Sequence, residues 1–64
     1  MNGTVAAFDD SSGLGEIDAE DGSRIAFHCV AIADGTRTIE VGTQVVFGLL
    51  PKLGRWEATE ITPS

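Results

Sequence analysis

Basic residues are scarce in this chain: four Lys and Arg stand against ten Asp and Glu, for a net charge of −6. Aromatics are scarce too, with three phenylalanines, one tryptophan and no tyrosine, and there is one histidine and one cysteine. Each shortage excludes something. One histidine and one cysteine supply no metal quartet, and the chain carries no Ser/His/Asp order, phosphate-cradling loop or pocketed carboxylate pair, so it reads as a non-enzyme with no cofactor. A lone Cys29 rules out an internal disulfide framework, which small secreted domains normally need to support a thin core. The longest apolar run, 45–50, is far too short to span a bilayer, and the opening residues lack the basic-then-apolar order of a secretory signal. A cytoplasmic location is the expectation.

At 64 residues the chain is expected to form one domain, because a chain of this size buries only about 60% of its unfolded surface around a single core. Most inward side chains must then fill that core, which favours surface binding over a pocket of placed catalytic groups. The acids are unevenly placed: Asp9, Asp10, Glu16, Asp18, Glu20 and Asp21 all precede the first basic residue, Arg24. Beyond it, Arg24, Arg37, Lys52 and Arg55 balance Asp34, Glu40, Glu57 and Glu60. An acidic face repels phosphate, so the N-terminal third is electrostatically a poor nucleic-acid surface. The spacing of its acids matches no calcium loop and includes no bidentate Glu position, so it reads as a solvated acidic face without a metal.

Short apolar or alternating runs separated by Gly, Asp and Ser recur throughout, and helical spacing is never sustained. The chain reads as all-β, with strands expected at 4–8, 14–19, 24–30, 44–50 and 56–61. Residues 9–13 and the Asp21-Gly22 pair make the first two turns, and 51–54 the last hairpin. The connector 31–43 holds Asp34-Gly35 and Val41-Gly42 turn signals and has room for one helical turn before the fourth strand. Five strands with a long connection after the third suit a closed antiparallel OB-fold barrel, which leaves no sheet edge open.

The residues also resemble a known family. Gly3-Thr4-Val5-Ala6-Ala7-Phe8-Asp9 is similar to the G-K-V-K-W-F-N opening of cold shock proteins. Ser12-Gly13-Leu14-Gly15-Glu16-Ile17 stands where the family has K-G-F-G-F-I, and Ile25-Ala26-Phe27-His28-Cys29 where it has V-F-V-H-F. Val30-Ala31-Ile32 resembles S-A-I, and the stretch 38–47 resembles T-L-x-E-G-Q-x-V-x-F. The resemblance implies a cold-shock-type barrel that binds single-stranded RNA or DNA, with exposed aromatics stacking bases and lysines meeting phosphates. The scaffold positions are kept here and the gripping residues are replaced. The family's lysines are Ala6 and Ser12, its tryptophan is Ala7, and its four phenylalanines are Leu14, Glu16, Ala26 and Cys29. Each lost stacking platform removes about 1 to 3 kcal/mol, against the roughly 8 kcal/mol of a micromolar complex. Binding through this face is therefore expected to be weak or relocated.

The candidate nucleic-acid contacts are Phe8, Leu14, His28, Lys52, Arg55 and Trp56. His28 keeps the family's position and reads either as a base contact or as a strand histidine without a role. Lys52, Arg55 and Trp56 bring basic and aromatic character together at the last hairpin; the lone tryptophan fits capping of the barrel end slightly better than base gripping. Alternation places Cys29 with the inward Ile25 and Phe27, as an ordinary buried cysteine. The alternative function is a protein-interaction module in which Ala7, Leu14 and Ala26 form a shallow apolar patch rimmed by acids, Glu16 among them, suited to a protein with a basic patch. Either way the chain is expected to be a monomer or a weak dimer.

Overall fold

Val5, Ile17 and Ile25 lie side by side on three neighbouring antiparallel strands, all of them buried. This is the period of two that the alternating sequence demands, with one apolar face turned to a shared core. The computed structural model, which describes every residue except Asp34 and Thr36, has five strands: β1 (Asn2–Asp9), β2 (Leu14–Ala19), β3 (Arg24–His28), β4 (Gln44–Lys52) and β5 (Arg55–Pro63). They close into a barrel in the order β1-β2-β3-β5-β4, with β4 pairing back onto β1. The closing seam is the parallel contact between β3 and β5, where Ala26 stands opposite Glu57. The core contains Phe27, Val45, Phe47, Ala58 and Ile61 besides the first three residues, and among the described residues no polar side chain is buried. The charged groups of the described residues therefore all face outward.

Two irregularities coil the strands enough to close. A bulge in β1 inserts Ala6 between Val5, opposite Ile17, and Ala7, opposite Glu16. In a second register shift, two steps of β4 from Val46 to Gly48 face three steps of β5 from Thr62 to Thr59, so the extra residue lies in β5, where Glu60 has a φ of 50°. A bulge bends its strand and increases its twist. The first one also reverses which side chains point out: Ala7 faces solvent and Phe8 turns inward, where its ring stacks on Phe27 with centroids 5.9 Å apart.

The turns follow their expected chemistry. The Asp9 carboxylate accepts hydrogen bonds from the Ser11 backbone N–H at 2.9 Å and the Ser11 hydroxyl at 2.7 Å, and Asp21 holds the Ser23 N–H in the same way at 2.9 Å. These local bonds hold the Asp9 and Asp21 carboxyls below the usual value of 3.8. Gly13, with φ 72°, completes the first turn, and a Cβ there would also meet the Cys29 sulfur at 2.8 Å. Glycine is the residue that satisfies both conditions.

Several boundaries differ from expectation. The third strand was expected to run to Val30, but it ends at His28: the Cys29 N–H still donates in register to the Gly13 carbonyl at 2.7 Å, and the chain turns there. The Ile32 N–H then donates to the Cys29 carbonyl at 3.2 Å, closing a 3₁₀ turn over Cys29–Ala31. The helical turn thus comes directly after β3, ahead of the connector. Cys29 is half-buried above Gly13, not an inward strand residue, and Ile32 takes the buried place and bridges to Ile61. The last hairpin is tighter than 51–54: Pro51 and Lys52 belong to β4, and Leu53 and Gly54 make the turn. Of the expected Asp34-Gly35 turn, Asp34 lies outside the described residues.

Candidate nucleic-acid interface

Outward residues on β1, β2, β3 and β5 form two rows across the barrel. In the first, Asp9 stands beside Leu14 and Leu14 beside His28. In the second, Ala7, Glu16, Ala26 and Glu57 follow one another across four strands. The rows are two residues apart along each strand, or about 7 Å. The β1 bulge puts Ala7 in this set, because unbroken alternation from the inward Val5 would have turned it to the core. Alanines in the second row leave a depression. Together with Arg55, Phe8 and Ser12, the rows surround an open groove of about 600 Å³.

The expected contact residues divide unequally over this surface. Leu14, 48% exposed, and the exposed His28 stand on the first row. Phe8 is only partly exposed: its ring belongs to the inner layer on Phe27 and reaches the groove as part of its wall. Arg55 reaches the groove from the start of β5, which the β3–β5 seam brings beside Ala26. Lys52 is paired with Arg55 across the hairpin and lies just outside the groove lining. Trp56 follows Arg55 in β5, so its side chain projects to the other face, opposite Pro51. It is 57% exposed and does not fill the barrel end, which corrects the capping role expected for it. The Lys52, Arg55 and Trp56 cluster is thus split between two faces.

Ala7, Leu14, Glu16 and Ala26, the residues of the alternative protein-contact patch, line this same groove. The protein-contact patch and four of the six expected nucleic-acid contacts, Phe8, Leu14, His28 and Arg55, thus share one groove. Sequence reasoning did not associate Glu57 or Asp9 with it; the signal for Asp9 was its distance of five residues from Leu14 across a tight turn, whereas nothing local points to Glu57.

Electrostatically the groove is acidic. Three carboxylates, Asp9, Glu16 and Glu57, face one guanidinium, Arg55. Arg55 Nη2 holds Glu57 Oε2 at 2.9 Å, and Glu57 is mostly covered while Arg55 stays open to solvent. On the far side of Glu16, Arg24 donates to Asp18 at 2.8 and 3.3 Å and lies 3.6 Å from Glu16. The Asp18 hydrogen bond, then the Asp18 charge and the Glu16 charge, hold the Arg24 guanidinium above its usual value. Arg24 thereby offsets acids from beside the groove and is not part of its lining, whereas Arg55 is. Among the described residues, no group of three or more His, Cys, Asp or Glu is arranged to hold a metal ion.

Such a surface has Leu14 and His28 along one row, a carboxylate between two alanines in its middle and positive charge at one margin. A comparison with curated proteins finds no match. Among solved structures, a chain described as Drosophila Unr CSD456 superposes with a TM-score of 0.77 at 24% identity, covering 98% of this chain and 26% of that one. At that identity the likeness concerns the fold, and this chain spans about a quarter of the length of the chain it matches. The family model for the 'Cold-shock' DNA-binding domain matches residues 1–64. With the match running the whole length of a five-stranded closed barrel, this chain belongs to the cold-shock domain family, whose members in general bind nucleic acids.

Proposed function

We propose that the groove binds a short stretch of single-stranded RNA or DNA, weakly, with bases over Leu14 and His28 and backbone phosphate at Arg55 and Lys52. The observation that carries this reading is the convergence of Leu14, His28, Phe8 and Arg55 on one depression, although they come from four different strands. Leu14 and the imidazole supply surface for base faces, which is sequence-tolerant contact. The three carboxylates keep phosphates off the middle of the groove, so the strand passes along the β4–β5 hairpin margin, where Lys52 and Arg55 sit side by side.

Two cations set the scale of the electrostatic part. Single strands give a slope of log K against log salt of about −0.7 per neutralised phosphate, so two contacts predict about −1.4. With few platforms left, at about 1 to 3 kcal/mol each, affinity falls short of micromolar. Fluorescence anisotropy of labelled oligonucleotides over a salt series tests this. Arg55→Ala should weaken binding and bring the slope to about −0.7, one phosphate contact fewer. Leu14→Asp should abolish binding. No binding at low salt, or a slope unmoved by Arg55→Ala, overturns the reading.

A second reading rests on the same acidic lining: the groove receives a basic segment of a partner protein against Leu14, Ala7 and Ala26. Under it, Arg55→Ala leaves the partner complex intact and Leu14→Asp breaks it.

A further inference from the structure

The middle of the groove holds a carboxylate where a base-stacking surface would hold an apolar ring. Glu16 projects outward from the centre of β2, with Ala7 opposite on β1 and Ala26 opposite on β3. Both directly opposite neighbours end at Cβ, so the long side chain nearest it on the flanking strands is the diagonal Arg24, and the Glu16 side chain itself is 47% exposed. The other carboxylate in this row, Glu57, is engaged by Arg55 at 2.9 Å and is 13% exposed. Glu16 is held less tightly. Its ionic neighbour, Arg24, lies 3.6 Å from Oε1, beyond hydrogen-bonding distance, and directs its own hydrogen bonds to Asp18. Both Glu16 oxygens therefore keep acceptor capacity toward the groove, while Arg24 offsets part of the charge.

We infer that Glu16 selects the base held in the groove, and that the preferred base is guanine; this rests on the nucleic-acid reading of the groove. An ionised carboxylate accepts hydrogen bonds and donates none, so it discriminates by where a base carries donors. Guanine presents two adjacent donors on its pairing edge, N1–H and the N2 amino group, which match the two oxygens of a carboxylate. Cytosine and adenine each offer one amino group beside an acceptor nitrogen. Thymine and uracil flank their single N–H with two carbonyl oxygens, whose lone pairs face the carboxylate. The rows supply the reach: a base lying over Leu14 and His28 is about 7 Å along the strands from the Glu16 row, so its edge, not its face, meets the carboxylate. The order of preference is guanine first, cytosine and adenine next, thymine and uracil last.

The fold-change follows from paired hydrogen bonds to a base edge. A good bidentate pair gives discrimination of about 5- to 150-fold, and a half-exposed carboxylate belongs near the lower part of that range, at about tenfold. The probe is a set of labelled DNA heptamers at low salt: all thymine, or thymine with a single central guanine, inosine, cytosine or adenine. A single guanine cannot form a four-stranded stack, and inosine lacks only the N2 amino group. The wild-type protein should bind the guanine heptamer about tenfold more tightly than all-thymine, with inosine between. Glu16→Gln and Glu16→Ala should both strengthen all-thymine binding and remove the guanine preference, while thermal unfolding of each variant confirms that it folds. No binding of any heptamer overturns the groove reading together with this inference. Binding without preference for guanine, or a preference that survives in both Glu16 variants, overturns the assignment of Glu16 and leaves the groove reading standing.

Discussion

Replacing Gly15 by alanine adds a methyl group where the barrel wall has no space for one. The new Cβ would lie 2.6 Å from Cε1 of Phe27 and 2.8 Å from the Ala7 carbonyl oxygen. Carbon atoms in contact ordinarily stay about 3.5 to 4.0 Å apart. The Phe27 ring cannot retreat, because it is 1% exposed and Phe8 is stacked against it at 5.9 Å. Ala7 cannot yield either without disturbing the bulge that closes β1 against β2. Overpacking of this kind costs about 1 to 3 kcal/mol. In a domain this small each kcal/mol lowers Tm by about 4 to 8 °C, so Gly15→Ala should lower Tm by about 4 to 24 °C. Circular dichroism gives Tm, and proton shifts of the two phenylalanine rings report the displacement directly. The variant should also bind oligonucleotides more weakly, since Phe8 and Phe27 form the groove wall. An unchanged Tm with unmoved ring shifts would refute the packing argument.

Other substitutions separate surface from core and one pH range from another. Trp56→Ala should change unfolding free energy by no more than about 1 kcal/mol, because the ring is 57% exposed, whereas truncating a buried aromatic costs about 3 to 5 kcal/mol; urea titration distinguishes the two, and a large loss would mean that Trp56 packs on the barrel. The Asp9 and Asp21 carboxyls are lowered below 3.8 by bonds to Ser11 and Ser23. A group with a depressed folded value contributes stability above its unfolded value, and that contribution disappears as pH falls through the folded value. The urea midpoint should therefore drop as pH falls from about 4, and the double variant Asp9→Asn, Asp21→Asn should flatten that drop; equal slopes would contradict the assignment.

Much of the fold is legible because short-range patterning carries it. Ile17, Ile25 and Phe27 occupy the inward positions that alternation assigns them, and β2 spans the expected 14–19. The glycines at 13 and 22 adopt the positive φ that their turns suggest. What escapes local reading is set by long-range pairing. The extra residue Ala6 is visible only when β1 is counted against β2, and it decides that Ala7 faces the groove and Phe8 the core. Cys29 ends the strand, its carbonyl accepting from the Ile32 N–H in a 3₁₀ turn that sets Ile32 beside Ile61. The parallel β3–β5 seam joins Ala26 to Glu57, residues with no local sequence relation. It is this seam that brings Arg55 to the groove lined by Leu14, Glu16, Ala26 and His28.

The most direct test of the proposed groove is a titration of the isotope-labelled protein with pooled single-stranded DNA and RNA at low salt, following each backbone amide by nuclear magnetic resonance. Low salt favours any contact that releases counterions. The account predicts shifts at Leu14, Glu16, Ala26, His28, Arg55 and Glu57, which share the groove, and little change at Val41 and Ser64, which lie outside it. Amides that stay unmoved at millimolar oligonucleotide, or move only away from the groove, would contradict it.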